Sequence, residues 1–309
     1  MISTGLQFVR GFLMGAADVV PGVSGGTIAL VVGIYERLID NIHRGASALG
    51  RALRGDLSGL REGLRSVEWN FLIPLGVGIV VAFVGLAGVI ERGLEDYPEA
   101  MAGLFLGLVA GSVIIALRLI SWMRPTLGVI SMMVGVVTFI ALGWSGGTVA
   151  DPSLFAFFAA GGVAICAMIL PGISGSFILL MLGMYAAVLD AVHDRDLVTL
   201  LVFALGAAIG LGLFSTLLTR LLGQYHDIVI AALVGLMLGS IRVLWPWPNG
   251  VGTISDEASE VVDGTGLEWP QGDEWLWPTV WAIVGVVVVS AIARLAPEPA
   301  TDESESTPA

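Results

Sequence analysis

The sequence lacks lysine altogether and has only one cysteine and three histidines. The cysteine, Cys166, lies in an apolar run, so neither a disulfide framework nor a cluster of thiolate metal ligands can form within one chain. The histidines His43, His193 and His226 are far apart and lie in predicted loops. No metal site and no cofactor are therefore expected, and a metalloenzyme is disfavoured.

Charged residues are also scarce. They make up 13% of the chain, about half of what a soluble protein carries, whereas 56% is hydrophobic and the mean hydropathy is +0.90. All 14 basic residues are arginines, and 26 acidic residues give a net charge of −12, so no nucleic-acid partner is expected. The composition predicts an all-α, polytopic protein of the plasma membrane, in which each crossing takes about 20 apolar residues.

Six apolar runs are long enough to span a membrane. They cover residues 71–90, 101–120, 127–144, 197–218, 228–245 and 276–293. The apolar stretch near the N-terminus holds Arg10, Asp18 and a proline break, and it lacks the basic segment and the cleavage site of a signal peptide. We expect this stretch to be retained.

Two further apolar regions, 8–40 and 155–190, are too long for one crossing. Each is interrupted by a Pro-Gly-x-Ser-Gly motif, at residues 21–25 and 171–175. The halves have roughly 13 to 16 residues each, or about 20 to 24 Å of helix. Each region is predicted to be a broken, re-entrant helix hairpin.

The two hairpins belong to an internal repeat. Nine identities recur at an offset of 150 residues, and they pair Pro21, Gly22, Ser24, Gly25, Ile28, Leu30, Gly33, Tyr35 and Asp40 with Pro171, Gly172, Ser174, Gly175, Ile178, Leu180, Gly183, Tyr185 and Asp190. A second echo, at an offset of 128, includes Gly107 with Gly235 and Tyr97 with Tyr225. The predicted repeat unit is a broken hairpin followed by two spans.

Three predicted spans separate the hairpins, and because this number is odd, the hairpins enter from opposite faces. The repeats are therefore expected to be inverted. We predict a single transmembrane transporter domain over 1–296, with repeat 1 at about 5–124, repeat 2 at about 153–246 and a last span at 276–293. The acidic tail 297–309 is expected to be disordered.

The arginines indicate an orientation. Five of them lie in the loop 43–68, which the positive-inside rule places in the cytoplasm together with the N-terminus. The acidic loop 247–275 then lies outside. The arginine-rich loop could equally be a surface helix that lies on anionic membrane lipids.

The breaks themselves carry the predicted chemistry. Proline and glycine stop a helix, and in a membrane the freed backbone groups must be buried in protein or line a wet cavity. A new helix is predicted to begin at Thr27 and at Ser176, with Ser24 and Ser174 as capping residues and with amides that bind an anion. The alternative is that glycine and serine only permit close helix packing.

Asp18 lies three residues before the first break, inside an apolar stretch, and its counterpart in repeat 2 is Met168. An intramembrane carboxylate present in only one repeat suggests coupling to a proton or another cation, or a charge pair with Arg10 or Arg118. A helix-end carboxylate at the membrane interface is the alternative. Arg118 follows a Gly-x-x-x-Gly-Ser stretch, and a guanidinium matches a phosphate in shape, although interfacial snorkelling would also explain it.

Residues 15–27, Gly-Ala-Ala-Asp-Val-Val-Pro-Gly-Val-Ser-Gly-Gly-Thr, and the following Gly33-Ile34-Tyr35-Glu36 resemble the signature of the PopT polyprenyl-phosphate transporters. Residues 171–176 resemble the second signature of that family, and the resemblance covers about 5–296. It implies a carrier that returns undecaprenyl or dolichyl phosphate from the outer to the inner leaflet for reuse in envelope or glycan synthesis. The isoprenoid tail would stay among the membrane lipids.

The resemblance implies phosphate-binding residues at the matching motif positions only. These are Pro21, Gly22, Ser24, Gly25, Gly26, Thr27, Pro171, Gly172, Ser174, Gly175 and Ser176. Asp18, Arg118 and Glu36 are the candidates for coupling to H⁺ or Na⁺ or for a charge pair, and no catalytic residue is predicted. An anion channel or exchanger and a polyprenyl-diphosphate phosphatase remain as alternatives, although neither motif is accompanied by a histidine or a lysine.

Overall fold

The computed structural model describes residues 4–19, 24–120, 124–143, 149, 151–247 and 267–295. Within these ranges the chain is helical and contains no strand, which confirms the predicted all-α membrane fold. The helices are α1 (Thr4–Asp18), α2 (Gly25–Val31), α3 (Tyr35–Leu53), α4 (Leu57–Ser66), α5 (Trp69–Asp96), α6 (Pro98–Leu117), α7 (Pro125–Ala141), α8 (Leu154–Ile169), α9 (Gly175–Met181), α10 (Tyr185–His193), α11 (Leu197–Gly239) and α12 (Leu276–Leu295).

The helix boundaries show the same internal repeat as the sequence. α8, α9 and α10 each begin 150 residues after α1, α2 and α3, and α11 begins 128 residues after α5. The offset shrinks because α3 is longer than α10 and because α4, in the arginine-rich segment, has no counterpart in repeat 2. The repeat therefore exists in the backbone as well as in the identities. The domain boundaries predicted above stay predictions.

The second half of each hairpin is shorter than predicted. α2 and α9 have seven residues each and begin at Gly25 and Gly175 rather than at Thr27 and Ser176. They end early because Gly33 and Gly183 adopt left-handed backbone angles, with φ of +69° and +67°. After the second of these turns, α10 leaves α9 at an angle of 111°.

The predicted spans fall into five helices rather than six. By length and composition, α5, α6, α11 and α12 can each cross a membrane, and the bent pair of α9 and α10 would make a fifth span. The span predicted at 127–144 is the shorter helix α7. The spans predicted at 197–218 and 228–245 both lie in α11, which has 43 residues.

A straight helix of that length would reach about 65 Å, roughly twice the hydrocarbon core. α11 is not straight, because Tyr225 has non-helical backbone angles (φ −136°, ψ 42°). Its repeat counterpart Tyr97, with φ −140° and ψ 54°, separates α5 from α6. Both bends are flanked by charged residues, which belong at a membrane interface. α11 therefore corresponds to two crossings joined at Tyr225.

Contacts between distant residues define two sides of the protein. His226, next to the bend of α11, lies 3.0 Å from Glu36 at the start of α3, and the backbone N–H of Glu68 before α5 donates to Asn41 of α3. We call this the Tyr225 side. On the opposite side, the Tyr97 bend lines a cavity with Trp277 and Trp281 of α12. We call this the Tyr97 side.

The hairpins open on opposite sides. α3, which follows the first hairpin, lies on the Tyr225 side. The turn of the second hairpin accepts a hydrogen bond at the Gly183 carbonyl from the Val149 amide, 3.1 Å away, in the segment after α7. Because α7 begins on the Tyr225 side and crosses, that segment is on the Tyr97 side. The repeats are thus inverted, as predicted; which side faces the cytoplasm stays a prediction.

Matched glycines let the helices pack at close range. A methyl group at Gly11 of α1 would overlap the backbone of Leu75 in α5, and its repeat counterpart Gly161 of α8 would likewise overlap Phe203 of α11. Further along, Gly107 of α6 contacts α12 in this way, whereas its counterpart Gly235 of α11 contacts α7. The helix that follows each repeat, α7 or α12, therefore packs against the last helix of the other repeat.

Candidate functional site

The two helix breaks meet inside the protein. Ser24, which precedes α2, donates a hydrogen bond from its hydroxyl to the Met168 carbonyl at the end of α8, at 3.1 Å. In the other direction, the backbone N–H of Gly172 donates to the Thr27 hydroxyl of α2 at 3.0 Å. Ser24 and Thr27 are only 2% and 1% exposed. The two breaks therefore converge, and polar groups within and next to the two motifs join them.

In the first break, groups of the break itself cap α2. Ser24 has extended backbone angles, and its hydroxyl accepts from the Gly26 amide at 3.1 Å. The Gly25 amide donates to the carboxylate of Asp18 at 2.6 Å. As predicted, these amides lack partners within the helix; their partners are a serine and an acid from the preceding segment. An anionic group thus already lies at this helix start.

The second break differs from the first in how its serine is bonded. Ser174 begins α9 with extended backbone angles but makes no capping hydrogen bond, and its hydroxyl instead lies 2.7 Å from that of Ser176. The position of Asp18 is taken by Met168, so no carboxylate of α8 can reach Gly175. Of the two breaks, the second is therefore the one with hydroxyl donors and without a resident acid.

Glycine is required where the breaks touch. Gly172 has φ +86°, and a Cβ there would lie 2.7 Å from the Met237 backbone of α11. A Cβ on Gly26 would lie 2.5 Å from the Ile169 carbonyl oxygen of α8. Any side chain at these positions would force backbone apart from backbone. Gly26 therefore sets the distance between the two repeats at the breaks, whereas Gly172 sets the distance between the second break and α11 within repeat 2.

Some predicted residues lie elsewhere. Arg118 is exposed at the end of α6, and the side chain of Glu36 is 61% exposed beside His226, so neither is at the breaks. Within the described ranges, Asp18 forms no ion pair with Arg10 or Arg118, which makes the suggested charge pair wrong in this structure. Pro21 and Gly22 lie outside the described residues.

Two buried polar residues of α1 were not predicted as part of a site. Gln7 and Arg10 are 2% and 4% exposed. With Met14 and Ala17 they form a buried stripe at three- and four-residue spacing. The signal in the sequence is that two polar residues fall on one face of an otherwise apolar helix. Nearby on α3, Arg37 pairs with Glu68, whose pKa is held below its usual range chiefly by the hydrogen bond from Arg37.

A family profile described as VCA0040-like, undecaprenyl phosphate translocase-like, matches residues 14–262. The chain belongs to this family. Its relatives include a polyprenyl-phosphate transporter of Vibrio cholerae, 36% identical over 298 residues that cover 94% of this chain and 96% of the relative. A polyprenyl-phosphate transporter of Staphylococcus aureus is 30% identical over 258 residues, covering 78% and 86%. No solved structure matches.

The family assignment confirms the resemblance inferred from the two signatures. The matched residues include both breaks, the helices α2 to α11 and the end of α1 from Met14 onward. The chain is therefore a multi-pass membrane protein of a transporter family, and both repeats take part in its two breaks.

Proposed function

We propose that this protein moves a polyprenyl phosphate between the leaflets of the plasma membrane, with the phosphate held where the two breaks meet. The observation that carries the proposal is the reciprocal joint of the repeats, Ser24 to Met168 and Gly172 to Thr27. The relatives named polyprenyl-phosphate transporters support the choice of lipid. Movement from the outer to the inner leaflet, for recycling of the carrier, is part of the proposal.

The proposed binding residues are those of the two motifs. They are Pro21, Gly22, Ser24, Gly25, Gly26 and Thr27 in the first, and Pro171, Gly172, Ser174, Gly175 and Ser176 in the second. A phosphate monoester needs several donors in a site without water, and hydroxyls and backbone amides at a helix break supply them without adding charge. The isoprenoid tail stays in lipid, because only the headgroup must be kept from the hydrocarbon.

The inverted hairpins suit alternating access. Each hairpin leads from one side of the protein to the shared break, so a small shift of one repeat against the other exposes the same site to either side. Because Gly26 lies against the Ile169 carbonyl with no side chain between them, the repeats would move as rigid bodies rather than deform. This geometry favours a carrier over a channel, which would need a continuous path.

Asp18 is the group that we propose for coupling. Its carboxylate is bound to the Gly25 amide, one of the donors assigned to the phosphate. Two anions at one donor repel each other, so uptake of a proton or Na⁺ by Asp18 would favour entry of the phosphate. Glu36 and Arg118 are proposed only for charge pairs on the Tyr225 side, because both are exposed near that surface rather than at the breaks.

The test is leaflet-resolved detection of a short-chain polyprenyl phosphate in vesicles that contain the purified protein. We expect the lipid to change leaflet about tenfold faster, or more, than in protein-free vesicles. Polyprenol of the same length, which lacks the phosphate, should not be accelerated. Intact flux of chloride without lipid movement would instead favour an anion channel, and release of inorganic phosphate from the diphosphate would favour a phosphatase.

A further inference from the structure

One buried face of α1, which runs from the Tyr225 side towards the breaks, carries polar side chains. Gln7, Arg10, Met14 and Ala17 occupy this face and are all buried. Met14 and Ala17 pack in the main apolar core, which also contains Ile28 of α2. The stripe therefore points into the protein, and Arg10 lies eight residues before Asp18, or about 12 Å along the helix axis.

The guanidinium of Arg10 is buried with almost nothing to compensate its charge. Its one side-chain hydrogen bond runs from Nη1 to the Gln7 amide oxygen at 3.5 Å, and its Nε has no partner within the described chain. No carboxylate of the described residues forms an ion pair with it. Burying an unpaired cation is unfavourable, because no anion offsets the free energy lost when the guanidinium leaves water.

The positive charge of Arg37 makes the position of Arg10 still less favourable, because the two charges repel. Arg37 itself is compensated, since it pairs with Glu68 and lies 4.3 Å from the centre of the Phe71 ring. The neighbouring charges of Arg37 and Glu68 thus compensate each other, and no carboxylate of the described residues is left to compensate Arg10. An anion that binds here would therefore compensate the charge of Arg10 rather than that of Arg37.

The fold does not need this arginine. The counterparts of Gln7 and Arg10 at the 150-residue offset are Phe157 and Ala160, which are 7% and 3% exposed at the same place on α8. The counterpart of Arg37 is Ala187. Repeat 2 therefore builds the same packing from apolar side chains, and the polar lining is confined to the half of the protein between the breaks and the Tyr225 side.

We propose that Arg10 is a second phosphate-binding residue, which receives the phosphate monoester between the central breaks and the Tyr225 side. The inference rests on the proposed function, since the anion is the one that passes the breaks. A guanidinium can bind a phosphate through two parallel hydrogen bonds, and Arg10 has donors free for it. Gln7 positions the guanidinium from the outer end. The shared ligand chemistry is a phosphate monoester or free phosphate.

The test compares Arg10→Gln, Arg10→Lys and Arg294→Gln in the full-length protein. Arg294 is the matched control, because it is an exposed arginine at the end of α12. Leaflet exchange of polyprenyl phosphate should fall about tenfold or more in Arg10→Gln, because a charged hydrogen-bond donor to the phosphate is lost. Arg10→Lys should restore part of the rate, and Arg294→Gln should keep all of it.

Stability separates this role from a structural one. Neutralising an uncompensated buried charge should leave the Tm of Arg10→Gln unchanged or higher, although transport falls. The rise in Tm on adding polyprenyl phosphate should be smaller in Arg10→Gln than in the natural protein. The same Tm measurement with inorganic phosphate distinguishes the free anion from the lipid headgroup. If inorganic phosphate raises the Tm and Arg10→Gln abolishes that rise, the free anion is a ligand. If only the lipid raises the Tm, the ligand is the headgroup.

Transport by Arg10→Gln at the natural rate would overturn the inference and leave the proposed function standing. A fall in transport together with a fall in Tm, or failure of Arg10→Gln to fold, would also overturn it, because Arg10 would then be a packing residue. Absence of lipid exchange by the natural protein would instead refute the proposed function itself.

Discussion

Replacement of Gly26 by alanine is expected to reduce leaflet exchange of polyprenyl phosphate on the order of 100-fold, with membrane insertion intact. The added Cβ, whose position the backbone fixes, would lie 2.5 Å from the Ile169 carbonyl oxygen, which is a backbone atom. Neither can turn aside, so the two breaks must separate and the hydrogen bond from Ser24 to Met168 must lengthen. The shared site is then lost although each repeat remains folded.

Gly128→Ala is the control for this substitution. Gly128 lies in α7, and no atom would lie within 4 Å of its added Cβ. Its transport and its Tm should match those of the natural protein. Exchange by Gly26→Ala at the natural rate, measured in the same vesicles, would show that the joint tolerates separation and that the breaks are only packing devices. Gly25→Val tests this less sharply, because its Cβ meets the Asp18 side chain, which can move.

The positions of the two breaks could be predicted from the sequence because the signals for them are local. A proline followed by glycines ends a helix wherever it occurs, and the recurrence of Ser24 as Ser174 shows that both repeats break at the same point. Counting the spans between the breaks then gives their opposite entry. The bond between Thr27 and the Gly172 amide does not follow from this symmetry, because it joins different positions of the two repeats.

The lengths of the second half-helices could not be predicted in the same way. Gly33 and Gly183 were recognised as repeat identities, but a glycine inside an apolar run continues a helix as readily as it ends one. The left-handed angles that end α2 and α9 are ones that glycine permits but does not dictate. Likewise, the 128-residue echo of Gly107 and Gly235 does not indicate that each contacts the helix that follows the other repeat.

The partner of Asp18 was also beyond the sequence. An acid in an apolar stretch indicates a functional group, but its partner could be a cation on any helix. The structure places the partner seven residues away, across the break, at the Gly25 amide. Likewise, the sequence shows Arg10 as a charge in an apolar helix. Whether Arg10 has a partner depends on which side chains of α3 and α5 lie next to it in the folded protein.

The second large effect is expected for Asp18→Asn. Asparagine has the shape of aspartate and keeps an oxygen that can accept the Gly25 amide, so the break should remain folded. It cannot take up a proton or bind Na⁺ as a carboxylate does. If Asp18 is the coupling group, the natural protein should move polyprenyl phosphate faster under an imposed gradient of the coupling ion, and the variant should respond to neither a proton nor a Na⁺ gradient.

The expected loss is the whole of the gradient stimulation, about tenfold if one elementary charge accompanies each phosphate across a potential of roughly 60 mV. Separate proton and Na⁺ gradients across the vesicle membrane identify the ion, and Met168→Leu is the control, because it alters the matching position of repeat 2 at nearly constant volume. Stimulation that survives in Asp18→Asn would contradict the assignment. Because repeat 2 has no carboxylate at this position, no second acid of the breaks could take over the role, and the result would move the coupling group away from the breaks altogether.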